Sequence, residues 1–126
     1  MEEEYSYPSE LGSVHIADEV VSIIASLAAL EVDGVAGMSG GIVGGIAEAL
    51  GRKNLSRGVK VEGDEKEVSV DLYMSVNYGS RIHIVGRTVQ EKVKKDIENM
   101  TGLKVKIVNL YVQGVSFSQE NSEGKE

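Results

Sequence analysis

The chain has 126 residues, a net charge of -7 and a pI near 4.9, with no cysteine, no tryptophan and 15 glycines. That length fits one domain, and the missing cysteines exclude disulfide frameworks, thiolate zinc sites and cysteine nucleophiles. No apolar run approaches the roughly 18 residues needed to cross a bilayer, and Met1-Glu2-Glu3-Glu4 carries the wrong sign for a signal peptide, so the reading is a cytoplasmic protein without direct membrane insertion.

Both ends are acidic and poor in aliphatic residues. Residues 1–11 and 118–126 read as disordered acidic tails around a single domain of residues 12–117. Within it, Val14 and Ile16 alternate with Ser13 and His15 as in a half-buried strand. Asp18 and Glu19 then favour a helix start. Ile16, Val20, Ile23, Ile24, Leu27 and Leu30 recur as one apolar helical stripe, which Asp33-Gly34 stops. Val35 to Met38 is a short strand.

Seven glycines fall within residues 37–58, yet Ile42, Val43, Ile46, Ala49 and Leu50 keep a helical spacing there. Each interior glycine costs a helix about 1 kcal/mol relative to alanine. The stretch therefore reads as a short glycine-rich helical segment that orders against a partner, or else as ordinary core held by its neighbours. A basic loop, Arg52 to Gly58, follows.

Val59 to Glu62 and the alternating run Val68, Val70, Leu72, Met74, Val76 make a hairpin across Gly63 to Lys66. Ser80 reads as the N-cap of a second amphipathic helix carrying Ile82, Val85, Val89, Val93, Ile97 and Met100, ended by Thr101-Gly102. In the last strand, Leu103 to Phe117, the apolar parity changes twice. A β-bulge near residues 106–108 brings its apolar groups to the core, and a second phase change falls at Gly114-Val115. The order predicts an α+β fold: a two-layer sandwich with a mainly antiparallel sheet and two long amphipathic helices on one face.

An ordered set of segments carries a resemblance: Gly12 to Ala17, Glu31 to Met38, the glycine-rich stretch to Lys53, Gly58 to Lys60, Asp71-Leu72-Tyr73, Tyr78-Gly79, Val89 to Val93, Met100 to Leu103 and Val112 to Val115. Together, over residues 12–117, they resemble the alkaline shock protein family of Gram-positive bacteria. One departure is Arg81-Ile82-His83, where relatives usually place a proline after the isoleucine. The resemblance implies a stress-response or envelope-homeostasis protein without established catalytic residues, some of whose relatives are held at the membrane by a separate anchor protein. It points to a protein partner, membrane-anchored in some relatives, to self-association, and to a peripheral place at the membrane through that partner.

The residues themselves argue weakly for chemistry. No phosphate-loop or dinucleotide fingerprint occurs, and the two histidines, His15 and His83, lack a second ligand at helical spacing, so no cofactor or metal is expected. Gly37-Met38-Ser39-Gly40-Gly41 only partly spells a nucleophile elbow. Asp64, Glu65 and Glu67 read as a solvated hairpin tip. Gly41 to Gly44 spells the GxxG of a nucleic-acid clamp but holds Ile42 and Val43 inside it, against the expectation of basic or small polar residues.

The expected function is thus non-enzymatic. Candidate partner-binding residues are Ile42, Ile46 and Leu50 on the glycine-rich segment and Tyr73 and Tyr111 on the open sheet face. The alternatives are an RNA-binding module, with Arg52, Lys53 and Arg57 as nucleic-acid or lipid contacts, and a small-molecule-responsive regulator.

Overall fold

The structure, a computed structural model, describes residues 4–39, 57–64 and 66–117. Among these residues six strands and two helices run in the order β1 (Glu4–Ser9), β2 (Gly12–Ala17), α1 (Asp18–Leu30), β3 (Val35–Met38), β4 (Val59–Gly63), β5 (Glu67–Asn77), α2 (Ile82–Thr101) and β6 (Lys104–Ser116). β5 is the central strand. β4 and β3 pair antiparallel with its residues 68–72 and 74–76, lying end to end along one edge, while β6 runs parallel along the whole of the other. The parallel pairing follows from the connection, because α2 carries the chain back across the sheet between β5 and β6.

Strict alternation places Val68, Val70, Leu72, Met74 and Val76 of β5 on one face, each no more than 1% exposed. Burying each such side chain contributes roughly 1.5–3 kcal/mol relative to leaving it in water. Val85, Val89, Val93 and Ile97 of α2 complete this core, together with Val21, Ile24, Ala25, Ala28 and Ala29 of α1. Both helices thus cover the same face of the sheet, which is the α+β, two-layer arrangement expected from the periodicity. Lys92 of α2 ties the two helices together by bridging Glu31 after α1 at 3.0 Å and Asp96 at 3.1 Å, and these carboxylates raise its pKa.

Helix ends and turns follow local chemistry. Gly102 ends α2 in the left-handed conformation, its N–H donating to the Glu98 carbonyl at 3.0 Å. The β4–β5 turn closes on Asp64, whose carboxylate accepts from the amides of Lys66 and Glu67 at 2.9 and 3.0 Å and is thereby held below the ordinary carboxylate pKa.

Four features differ from the sequence expectation. The N-terminal segment read as a solvated tail contains a strand, because residues 4–9 pair antiparallel with β2 and Tyr5 is 1% exposed in the core. The acidic composition hid one large side chain that offsets the ordering of the strand. The apolar stripe of α1 is split: Ile24 is buried, but Val20, Leu27 and Leu30 are 42–46% exposed, and Ser22, Ala25, Ser26, Ala28 and Ala29 face inward. Small residues win the inner face because they let α1 approach α2 and the sheet closely. Ser80 is not the cap of α2; Arg81 occupies that position, with no side-chain cap bond. The bulge in β6 falls at Lys106, between residues opposite Val68 and Ser69, and sends Ile107 to the open face while Val105, Val108 and Leu110 face the core. Residues 118–126 and the glycine-rich helical segment lie outside the described residues.

Candidate interaction surface

The sheet face away from the helices is built by the other parity of β5: Ser69, Asp71, Tyr73 and Ser75, all partly buried. The parallel register sets Ile107, Asn109, Tyr111 and Gly114 of β6 opposite these four residues. Tyr73 and Tyr111 stack with ring centroids 4.7 Å apart and planes 13° from parallel. Such a pair is worth about 0.5–1.5 kcal/mol beyond its buried area and presents a flat, rigid apolar surface. On one side of it, Asn109 Nδ2 donates to Asp71 Oδ1 at 3.0 Å. On the other, Ser39 Oγ donates across the sheet to Oε1 of Gln113 at 2.9 Å.

Gln113 owes its position to the second register shift in β6, between the residues opposite Met74 and Ser75. Gly114 follows where a Cβ would stand 2.8 Å from Ser75 Oγ, so glycine lets the two strands close there. Just past the ends of β5 and β6 a second ring pair stacks, Tyr78 on Phe117 at 5.1 Å, both 73% exposed. A stacked ring pair flanked by neutral and acidic hydrogen-bonding groups can bury aromatic area while satisfying polar edges, the character of a protein interface.

The backbone around Tyr73 is committed as firmly as its ring. Its carbonyl accepts from the Ser39 amide at 2.7 Å, and its own amide donates to the Gly58 carbonyl at 2.8 Å. The end of β3 and the start of β4 therefore meet at this one residue. Gly58 adopts φ +78°, and a Cβ there would lie 2.9 Å from the Tyr73 carbonyl oxygen.

Of the residues singled out from sequence, Tyr73 and Tyr111 are brought together. Ile42, Ile46, Leu50, Arg52 and Lys53, and with them the Gly41 to Gly44 motif, lie outside the described residues. Arg57 is exposed in the turn before β4. Ser39, the serine of the partial elbow, spends its hydroxyl on Gln113. His15 and His83 are both exposed, on β2 and on α2. Among the described residues no three metal-ligating side chains converge. Sequence reasoning missed Asn109 and Gln113, and the place of Ser39 on this face, because these depend on the parallel register and the second bulge. Tyr78 and Phe117 had a visible signal, as aromatic residues just past the ends of two strands. No helix among the described residues is long and apolar enough to cross a membrane.

Comparison with known proteins agrees with this architecture. YqhY of Bacillus subtilis is 38% identical over 115 residues, covering 91% of this chain and 85% of that protein. YloU of the same organism is 38% identical over 109 residues, covering 85% of this chain and 91% of that protein. A Streptococcus pyogenes protein named as a stress response regulator gls24 homolog is 28% identical over 110 residues, covering 86% of this chain and 62% of that protein. No solved structure matches. A family model described as the alkaline shock protein 23 family, with cell envelope-related function, matches residues 6–117. With that match spanning the helical layer and both sheets, the chain belongs to the alkaline shock protein 23 family of cell envelope-related, stress-associated proteins.

Proposed function

We propose that this protein is a non-enzymatic docking protein of the envelope stress response, and that it receives a protein partner and further copies of itself on the open sheet face. The observation that carries the reading is the Tyr73–Tyr111 stack, half exposed at the centre of a face whose polar groups are held in fixed positions by cross-strand hydrogen bonds. Rigid aromatic surface of this kind loses little conformational entropy when it is covered, which is why tyrosine is enriched where proteins dock. Nucleic acid is a poorer occupant. The two rings already cover each other on one side, Asp71 stands beside them, and the chain is acidic overall. A partner anchored in the membrane would bring this protein to the envelope without a spanning segment of its own.

A photo-crosslinking amino acid at position 111, incorporated in the native bacterium, tests this. The expected products are adducts with a small set of membrane-fraction proteins and with the protein itself, absent when the probe stands at exposed Asn99 on α2. The same diffuse products from both positions would sink the reading.

A further inference from the structure

A different surface lies at the rim of the sheet. β6 is an edge strand, with no described strand on its outer side. The first half of that edge is closed by α2. Lys94 Nζ donates to the Val105 carbonyl at 3.0 Å, Glu98 Oε2 accepts from the Val105 amide at 2.9 Å, and Gln90 Nε2 donates to the Val108 carbonyl at 2.9 Å. Beyond Val108 no described side chain continues this series. Backbone direction alternates along a strand, and the register with β5 is unbroken from Ile107 to Val112. The N–H and C=O of Leu110 and Val112 therefore point the same way as those of Val108, outward.

An open groove of about 520 Å³ runs along this second half of the edge, between it and the first turns of α2. Ile82, Leu110 and Val112 give it an apolar patch among the polar groups of His83, Arg87, Gln90 and Asn109, and a Cβ on Gly86 would stand 3.4 Å from Leu110 Cδ1. Arg87 and His83 stand on the rim, and no carboxylate lines the groove. Arg87 is exposed and makes no ion pair with any described residue, although the chain as a whole is strongly acidic.

We infer that this groove takes an extended segment of a partner protein, which adds as a strand to the outer edge of β6 at Leu110 and Val112 and sets an acidic side chain against Arg87. Main-chain bonds to an open edge supply the affinity in strand addition, and alternate side chains supply the specificity. The groove matches that division, with backbone donors and acceptors on one wall, the apolar patch of Ile82, Leu110 and Val112 for one side chain and the cation of Arg87 for the next. A second copy pairing edge to edge is the poorer occupant, because a two-fold pair centred on Leu110 and Val112 would bring two like-charged Arg87 side chains to one seam.

The test uses the full chain labelled with 15N and a capped seven-residue peptide of alternating Val and Thr with one central Glu. Saturable shifts are expected at the amides of Leu110, Val112 and Gly86. Replacing the peptide's Glu by Lys, or making Arg87→Glu, is expected to weaken binding about tenfold, and combining the two to restore it. Val112→Pro removes an outward donor without touching the bonds to β5 and is expected to abolish binding. A peptide N-methylated at alternate residues gives the same reading without altering the protein. Binding indifferent to N-methylation, or no shifts at millimolar peptide, would overturn the inference. So would a concentration-dependent dimer that Val112→Pro dissolves, which would assign the edge to a second copy. Tyr111 also lines this groove whereas Tyr73 does not, so a crosslinker placed at position 73 tests the open-face reading separately.

Discussion

At the scale of single residues, Gly58 and Glu98 carry the most testable geometry. Gly58 and Gly79 both adopt left-handed backbone angles, φ +78° and +93°, but a Cβ meets nothing within 4 Å at Gly79 and meets the Tyr73 carbonyl at 2.9 Å at Gly58. Gly79→Ala should cost about 1 kcal/mol from backbone strain alone, and Gly58→Ala at least ~2 kcal/mol, because the displaced carbonyl belongs to the β3–β4 junction. Denaturant midpoints with unchanged slopes would verify the difference. Glu98 accepts from the Val105 amide and pairs with Lys94 at 3.1 Å, and these contacts hold its carboxyl below the usual value of 4.5. A carboxylate with a depressed folded-state pKa stabilises the fold above its unfolded pKa and loses that contribution as pH falls through the folded one. Wild type should therefore exceed Glu98→Gln in stability near pH 6, with the gap closing below about pH 4.5. A gap that persists in acid would show that the charge of Glu98 does not matter.

Among the elements, β1 separates composition from structure most sharply. Removing residues 1–10 deletes the strand that pairs with β2 and empties the Tyr5 site, so the truncated chain should melt well below the full one. Tyr5→Ala alone should cost about 3 kcal/mol, the scale of deleting a buried aromatic ring. The two long helices and β5 were legible from the sequence, since Val85, Val89, Val93 and Ile97 keep one stripe and β5 alternates without error. The inner face of α1 was not, because close packing selected alanine and serine over the larger Val20, Leu27 and Leu30. The bulge in β6 was legible as a change of parity. Which apolar residue it would expel, Ile107, depended on the pairing register. The same holds for the open face, where Tyr73 and Tyr111 were readable as a pair on one face but Ser39 and Gln113 became neighbours only through the fold.

Across the whole molecule, stability is layered. β5 has a neighbour on both edges and the helices above it, whereas β1 and β2 form a separate two-stranded sheet held by Tyr5 and Ile16. Two-stranded ribbons are marginal by themselves. Amide exchange should thus be slowest in β5 and the centre of α2 and fastest in the β1–β2 ribbon, and Tyr5→Ala should release the ribbon while leaving β5 protected. Equal acceleration of both would mean that the two sheets unfold as one unit.

The paired bonds at Tyr73 also bear on how the chain tolerates change in length. Ser39 and Gly58 are fastened to the carbonyl and the amide of one residue in the middle of the sheet, which holds the two ends of the intervening segment close together. Loop-closure entropy grows only with the logarithm of length, at about 0.6 kcal/mol for each doubling. A run of Gly and Ser inserted between Gly44 and Gly45 should therefore shift stability by less than ~1 kcal/mol. Because Tyr73 holds both ends, stability should answer to the added length alone, and a large loss on such an insertion would show that the intervening residues are themselves part of the packed body.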